Sequence, residues 1–562
     1  MSKREYWRAP LLLWIAFGVG IVLRFLAAGY QGISHDAAAF YLPNAQALFE
    51  GGLGNWQGMT IAIPPLFPTL VASLAHLFPG EGVDALEWAA LWISIVAGAA
   101  IIWPVRDLAR QFFPSEESVP RWSVVLAAIH PFLVQFGGDA RADSLYTLFF
   151  TTAVTFGWRT YRRPGARGGA AFGACVGLAY LLRPEALGLP ALLAVAVCFG
   201  AWHRRPWAGR RVGEETLKRY VLQTLVAAAA AILLLLPSLA WNMAFVHSKI
   251  GVWTLSPKAG ILLDYDKDGG DVFGRLNAAK TMTFHEESLS DTSNYQEFSL
   301  SQAFLEKPGV MLKAMGTNLG KFAGYFADVY SGAPTLFLII SLATIYVWRQ
   351  RRRRVLAPGS LWVPISVVGF YAVTISIFYI TRRYWLPHTP LLIPFSAFGV
   401  ERMAKLPIDR RIVGPKIALS VLLLLTLPQT LYFCGIGKGS WRGSADRVLG
   451  ERLRLTIVEG EALVSAKGRC AWHAGARHLE LPTSSSDETS TLADDIAIYM
   501  QNRGARLLLV DSRRRHRLGE LWEGLENHRA FRQIDQQQDG KLDLRVFELQ
   551  LVPGKSSSES PR

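Results

Sequence analysis

Charge is scarce in this chain. Of its 562 residues only 18% are Asp, Glu, Lys or Arg, against about a quarter in a soluble globular domain. Acids are the rarer sign, 44 against 59 Lys and Arg, which leaves a formal net charge of +15. Cysteine is rarer still. Cys175, Cys198 and Cys434 fall in apolar runs and Cys470 stands alone near the end, so neither a disulfide framework nor the paired spacing of a zinc site is available. No internal repeat is evident. Met1 to Arg8 is basic, but the apolar run behind it has no small-residue cleavage site. It reads as a retained first helix and not as a removed signal peptide.

What the chain has instead is long apolar runs. Hydrophobic residues make up 51% of it, and several uncharged runs reach the roughly 20 residues that cross a bilayer. The pattern predicts an α-helical polytopic membrane protein with about 11 transmembrane helices, near 10–29, 86–104, 122–137, 143–161, 168–182, 185–202, 220–240, 333–348, 361–380, 384–400 and 416–435. The cations lie in short clusters between these runs: Lys3 to Arg8, Arg106 to Arg121, Arg162 to Arg167, Arg204 to Arg219, Arg349 to Arg354 and Arg402 to Lys416. Each follows an even-numbered span or leads the chain. This is the pattern of cytoplasmic loops, not of nucleic-acid binding. It places the N-terminus in the cytoplasm of a plasma (inner) membrane protein. The short, proline-bounded apolar segment from Pro64 to Pro79 then lies along the outer face or re-enters.

That parity fixes an outer face. It holds a first loop over 30–85 with juxtamembrane helices, the hinges at Gly137 to Ala142, Arg183-Pro184 and Thr381 to Arg383, and a large loop over 241–332. It also holds everything after the transmembrane module of residues 1–435. Residues 436–553 change character. Strand patterns at Ala462 to Ser465, Arg506 to Val510 and Leu542 to Leu549, with helical patterns at Leu492 to Asn502 and His516 to His528, predict a small extracytoplasmic α/β domain. Residues 554–562 are Ser-rich and read as a disordered tail. Trp472-His473 and His478 read as a strand-loop surface. The acidic run Leu263 to Asp271 is a candidate active-site lid; it lacks the spacing of a calcium loop.

The chemistry-bearing residues gather on the outer face. Asp36, beside His35 and ahead of Tyr41, follows the first span; it could cap the helix begun at Ala37 or act on a substrate. Asp139 and Asp143 flank Arg141. If helical they share a face and repel, so Arg141, a cation or a substrate hydroxyl should stand between them; a helix cap by either is the plainer alternative. Arg141, Arg183, Arg382 and Arg383 occupy outer hinges against the charge rule. One such arginine snorkels to lipid headgroups; four beside carboxylates make forked partners for a lipid-borne phosphate.

The order of these motifs resembles a family. A first-loop Asp and Tyr41, then Pro64-Pro65-Leu66, Arg141-Ala142-Asp143-Ser144-Leu145, Leu182-Arg183-Pro184-Glu185 and a late Arg383-Tyr384-Trp385-Leu386-Pro387 are similar to the GT-C-like, multi-spanning transferases that use polyprenyl-phosphate sugars. These are the protein O-mannosyltransferase and aminoarabinose-transferase group, of glycosyltransferase family 39 type. The resemblance spans roughly residues 10–435. It implies a polyprenyl-phosphate sugar donor, an extracytoplasmic acceptor (lipid, glycan or protein), inversion at the anomeric carbon and Asp36 as general base. His35, Tyr41, Asp139, Arg141, Asp143, Arg183, Glu185, Arg382, Arg383 and Tyr384 would then bind substrate. Relatives often carry Glu where Ala37 stands, Lys where Ile63 stands and Arg-Asn where Trp241-Asn242 stands; His247 and Lys249 are candidates to replace the missing phosphate ligands. No cofactor is required, although a divalent cation near Asp36, Asp139 and Asp143 is compatible with the acids. A transporter or flippase of lipid-linked saccharide is the alternative; the acids cluster at outer helix ends and not at mid-membrane, which favours the enzyme. A catalytically dead scaffold that binds through its tail is a third reading.

Overall fold

The computed structural model describes residues 3–54, 63–79, 82–203, 214–251, 253–255, 308–330, 333–350, 359–376, 381–405, 407–408, 411–412, 414–436, 444–458, 461–466, 468–481, 492–512, 527–539 and 542–550, with a few isolated positions besides. The Leu263–Asp271 run, the tail after 550 and most of the helix expected over 516–528 lie outside the described residues.

In chain order the elements are α1 (Lys3–Gln31), a single wide turn at Ala37–Tyr41, α2 (Leu42–Gly51), α3 (Leu66–Ala75), α4 (Val83–Ala100), α5 (Ile102–Phe112), α6 (Val119–Ile129), α7 (Pro131–Gly137), α8 (Asp143–Arg162), α9 (Ala166–Tyr180), α10 (Gly188–His203), α11 (Glu214–Ile250), α12 (Pro308–Val329), α13 (Ala333–Gln350), α14 (Trp362–Ser376), α15 (Thr389–Ala404) and α16 (Gly414–Phe433). Among the described residues helices lie along the expected spans, but 122–137 is two helices, α6 and α7, broken at His130. Among the described residues four are long and apolar enough to cross a membrane: Pro10–Gln31, Val83–Phe112, Lys218–Lys249 and Gly414–Phe433; two bent helix pairs raise the number to six. The others fall short of that measure for visible reasons. α9 and α14 have 15 residues each, and α8 carries Asp143, Arg159 and Arg162. α12 is hidden in the sequence because Lys313, Asn318 and Lys321 break up its apolar run.

Two packing devices shape the bundle. α9 and α11 touch main chain to main chain. A Cβ placed at Gly169 or Gly173 would lie 2.0 Å from the carbonyl oxygen of Ala227 or Ala231, and one at Gly177 2.6 Å from Ser238 Oγ. Glycines four apart form one stripe, the small-residue contact by which membrane helices approach closely. The second device is Arg24, fully buried in α1. Pro131 has no N–H for the Ala127 carbonyl and holds His130 extended, so α6 and α7 meet at 49°. The Arg24 guanidinium donates to Ala127 O at 3.4 Å, Ala128 O at 3.2 Å and Gly20 O at 2.9 Å. Gly98 and Gly137 leave its room: a Cβ at either would lie within 2.7 Å of the side chain. The break thus has its carbonyls satisfied, and α7 delivers the Gly138–Ala142 turn to one fixed place.

Towards the far end of α8, an apolar cavity of about 500 Å³ lies between α8, α9, α10 and α14, with Val154, Trp158, Phe172, Leu189, Trp362 and Val367 in its walls.

The C-terminal part begins after a two-residue ladder, β1 (Pro407–Ile408) with β2 (Arg411–Ile412), and after α16. Here α17 (Ser444–Leu453), β3 (Ala462–Ser465), α18 (Arg469–Ala474), β4 (Arg477–Glu480), α19 (Leu492–Asn502), β5 (Ala505–Asp511), β6 (Phe531–Asp539) and β7 (Leu542–Leu549) build a mixed sheet in the order β4-β3-β5-β7-β6. Alternation sorts its two faces. Val464, Leu508, Val510 and Phe547 pack with Ile496 and Met500 of α19; Leu463, Leu507, Leu509 and Val546 pack with Leu449 of α17 and Cys470 and Ala471 of α18. Trp472-His473 is not a loop surface: both residues are buried on α18. Trp472 belongs to the core of the helical bundle, and His473 Nδ1 lies 4.0 Å from Glu87 Oε2 of α4.

Candidate active site

Four chain segments meet beyond the end of α1. The first is Ser34-His35-Asp36, just past α1. The second is the Asp139–Asp143 turn, where Gly137 and Gly138 end α7; a Cβ at Gly138 would strike the α1 backbone 2.6 Å away. The third is Arg183, held extended before Pro184. The fourth is the short turn Arg382–Trp385.

Arg141 is the hub. It pairs with Asp139 at 2.7 Å, Asp143 at 3.4 Å and Asp36 at 3.5 Å, and its own carbonyl accepts the Ser94 hydroxyl at 2.9 Å. Arg183 closes on Asp143 and lies over the rings of Tyr146 and Tyr384, 5.6 and 5.7 Å from their centres. Arg383 closes on Asp36. Asp139 accepts the Ser34 amide at 3.3 Å. Asp139 and Asp143 do not share a helix face, because the turn between them is not helical. Neither Asp36 nor the first turn of α8 shows a side-chain cap, so the capping alternative is not realised.

Exposure separates the acids. The side chains of Asp139 and Asp143 are 8% and 4% exposed, and those of Arg141 and Arg183 are 11% and 9%. Asp36 and Arg383 are 30% and 27% exposed. This pair is the open end of an otherwise closed cluster. Burial alone would raise the Asp36 pKa, but Arg383 and Arg141 outweigh it and hold the carboxyl well below the usual carboxylate range. Asp139 goes the other way: burial pushes it up against the pull of Arg141. Tyr41, buried against Phe67, is pushed up to about 12 by burial.

The remaining expected residues divide. Glu185 follows Pro184 and lines a small recess with Tyr146, Arg183, Tyr384 and His388; Tyr371 donates its hydroxyl to the Glu185 carbonyl at 2.6 Å. His35 accepts the Gly468 amide on Nδ1 at 3.0 Å. Arg382 is exposed, on the same turn as Arg383. His247 sits on the last turn of α11 with Lys249, and its ring stacks on Trp253 at 4.2 Å. Asn242 donates to the Tyr180 hydroxyl at 2.8 Å. The acids do not make a cation site. Among the described residues no group of three His, Cys, Asp or Glu is placed to hold a metal, and a guanidinium already stands between the three carboxylates. Sequence reasoning missed Ser34, Ser94, Tyr146 and Gly468, which act through backbone groups or from elements with no charge pattern.

The fold is that of the GT-C membrane glycosyltransferases. It matches the apo oligosaccharyltransferase of Archaeoglobus fulgidus with a TM-score of 0.55 at 13% identity, covering 93% of this chain and 71% of that one. It matches ArnT from Cupriavidus metallidurans in the apo state with a TM-score of 0.53 at 12% identity over 97% and 98% of the two chains. The same ArnT bound to undecaprenyl phosphate gives 0.50 at 12% identity over the same shares. Residues 62–241 match the sequence model of the dolichyl-phosphate-mannose-protein mannosyltransferases. No match is found among curated protein sequences. The likeness is therefore to the polyprenyl-phosphate-sugar glycosyltransferases, as the motif order implied, and the chain is a multi-pass membrane protein.

Proposed function

We propose that this protein is an inverting glycosyltransferase that moves a sugar from a polyprenyl-phosphate donor to an acceptor hydroxyl or amine on the extracytoplasmic side of the plasma (inner) membrane. In this reading the N-terminus is cytoplasmic, residues 1–435 are the transferase module and residues 436–553 are an extracytoplasmic domain. The observation that carries the reading is the open Asp36–Arg383 pair at the mouth of a buried Asp–Arg cluster. Inversion needs one base and a cationic seat for the leaving phosphate. Asp36 takes the acceptor proton as the acceptor atom attacks the anomeric carbon. The bond from that carbon to the phosphate oxygen breaks, and polyprenyl phosphate leaves with the electron pair. Arg383 and Arg183 hold the charge of the phosphate.

The same pairing gives the sequence of events a reason. While Arg383 is on Asp36 the carboxylate is ionised but a weak base. A donor phosphate competes for Arg383, and the basicity of Asp36 rises once the donor is seated. Removing Arg383 should have two separable effects. Arg383→Ala raises the KM for the donor, and it shifts the acid limb of the kcat/KM profile to higher pH, because the cation that depresses the Asp36 pKa is gone. The same sign governs stability. A depressed carboxylate adds stability above its unfolded pKa of about 4, lost as pH falls through the folded value, so Arg383→Ala should cost less at pH 3 than at pH 7 in a thermal unfolding series. An acid limb that stays in place would remove Arg383 from this role.

The test of the reading is direct. Purified protein in detergent or nanodiscs is given labelled polyprenyl-phosphate sugars with candidate acceptors, and transferred sugar and released polyprenyl phosphate are both counted. Equal release and transfer support a transferase. Movement of intact donor across a proteoliposome without release would favour the flippase.

A further inference from the structure

The C-terminal domain does not hang clear of the site. The Gly468 amide, at the start of α18, donates to His35 Nδ1 at 3.0 Å. The rings of His35 and His478 of β4 meet edge to face at 5.7 Å. α18 rests on the wide turn Ala37–Tyr41 that immediately follows Asp36, and the fit is close: a Cβ at Gly468 would lie 3.2 Å from the Ala39 nitrogen and 3.3 Å from its Cα and Cβ. Trp472, one turn on, is buried in the bundle core. The wide turn itself widens the hydrogen-bond register directly behind the proposed base, a distortion that is frequent at functional positions.

We propose that the C-terminal domain is a working part of the transferase: through Gly468 and His35 it clamps the turn that carries Asp36 and so sets the direction of the base. This rests on the function proposed above. His35 is then a positioning residue. Accepting an N–H on Nδ1 puts the ring proton on Nε2, so the imidazole has one tautomer and one orientation, and the neighbouring Asp36 inherits both. The domain acts on the chemical step and not on donor affinity, because among the described residues its contact is with the 35–41 turn and not with Arg183 or Arg383.

Two experiments on the full chain test this. In the first, His35→Leu removes the acceptor, His35→Asn keeps an acceptor oxygen near the Nδ1 position, and Gly468→Val pushes α18 off Ala39. His35→Leu and Gly468→Val should each lower kcat by about 10- to 100-fold with the donor KM unchanged, the cost of a base misplaced by about 1 Å. His35→Asn should recover most of the loss, and the Leu/Val double variant should be no worse than either single one. Wild-type kcat in both single variants, or His35→Asn as poor as His35→Leu, overturns the clamp. The second experiment needs no activity. Hydrogen exchange read by mass spectrometry should be slow in the peptide that carries the Gly468 amide, which donates to His35 Nδ1, and faster there in His35→Leu. Unchanged exchange in His35→Leu overturns the clamp whatever the reaction is; faster exchange in a protein that transfers no sugar overturns the function and leaves the contact.

Discussion

Asp36→Asn is expected to lower the turnover of sugar transfer by ~10²–10⁴-fold, the usual worth of a positioned general base, while the polyprenyl-phosphate donor of the proposed reaction still binds. The substitution keeps shape and volume and removes only the ability to take a proton. It also releases Arg383 from its ion pair, so affinity for the lipid phosphate should hold or rise while kcat collapses. That split is the signature of an interaction made in the transition state. Asp139→Asn and Asp143→Asn should behave differently. Both acids are buried against Arg141, and neutralising either leaves a buried guanidinium short of a partner, so the first symptom is lost stability. Turnover of Asp36→Asn within about threefold of wild type would take Asp36 out of the mechanism.

Gly173→Leu is expected to prevent α9 from seating on α11. The new Cβ would stand 2.0 Å from the Ala231 carbonyl oxygen, and main chain cannot turn aside as a side chain can. Overpacking in a tight core costs about 1–3 kcal/mol when neighbours yield; here the helices must separate along their whole seam, and the Gly169 and Gly177 contacts go with it. The expected result is protein that aggregates on detergent extraction or melts far below wild type. Gly324→Leu, where a Cβ meets nothing within 4 Å, is the control. A Gly173→Leu variant that melts with the wild type would show that the seam has slack.

The site was legible to the extent that chemistry broke a rule of composition. Arginines on hinges that charge statistics leave empty, and acids beside helix ends, are visible in one sequence. This is why Asp36, Asp139, Arg141, Asp143, Arg183 and Arg383 stand out from the sequence without their contacts. What the sequence could not carry was who pairs with whom. Asp36 and Arg383 are 347 positions apart, and no local pattern makes Arg141 the hub in place of Arg183. Backbone donors left no trace at all: the amides of Ser34 and Gly468 have no residue type. The apolar length of 122–137 reads as one span, and the 49° break at Pro131 is carried by a single imino acid within it. The spacing of Asp139 and Asp143 leaves a shared helix face open as a possibility, and Gly137-Gly138 closes it by ending α7 ahead of the turn. The helix from Pro308 to Val329 falls within the expected 241–332 loop, because a half-polar helix looks the same as a solvated segment until its neighbours are known.

The apolar cavity beside α8 has walls of very different age. Val154 to Ala196 leave the ribosome early, whereas Trp362, Val363 and Val367 follow only after α11, α12 and α13 have been made. For that interval the groove stands open on one side to whatever surrounds the nascent chain. Synthesis runs at about 5–20 residues per second, so closure trails the first walls by many seconds.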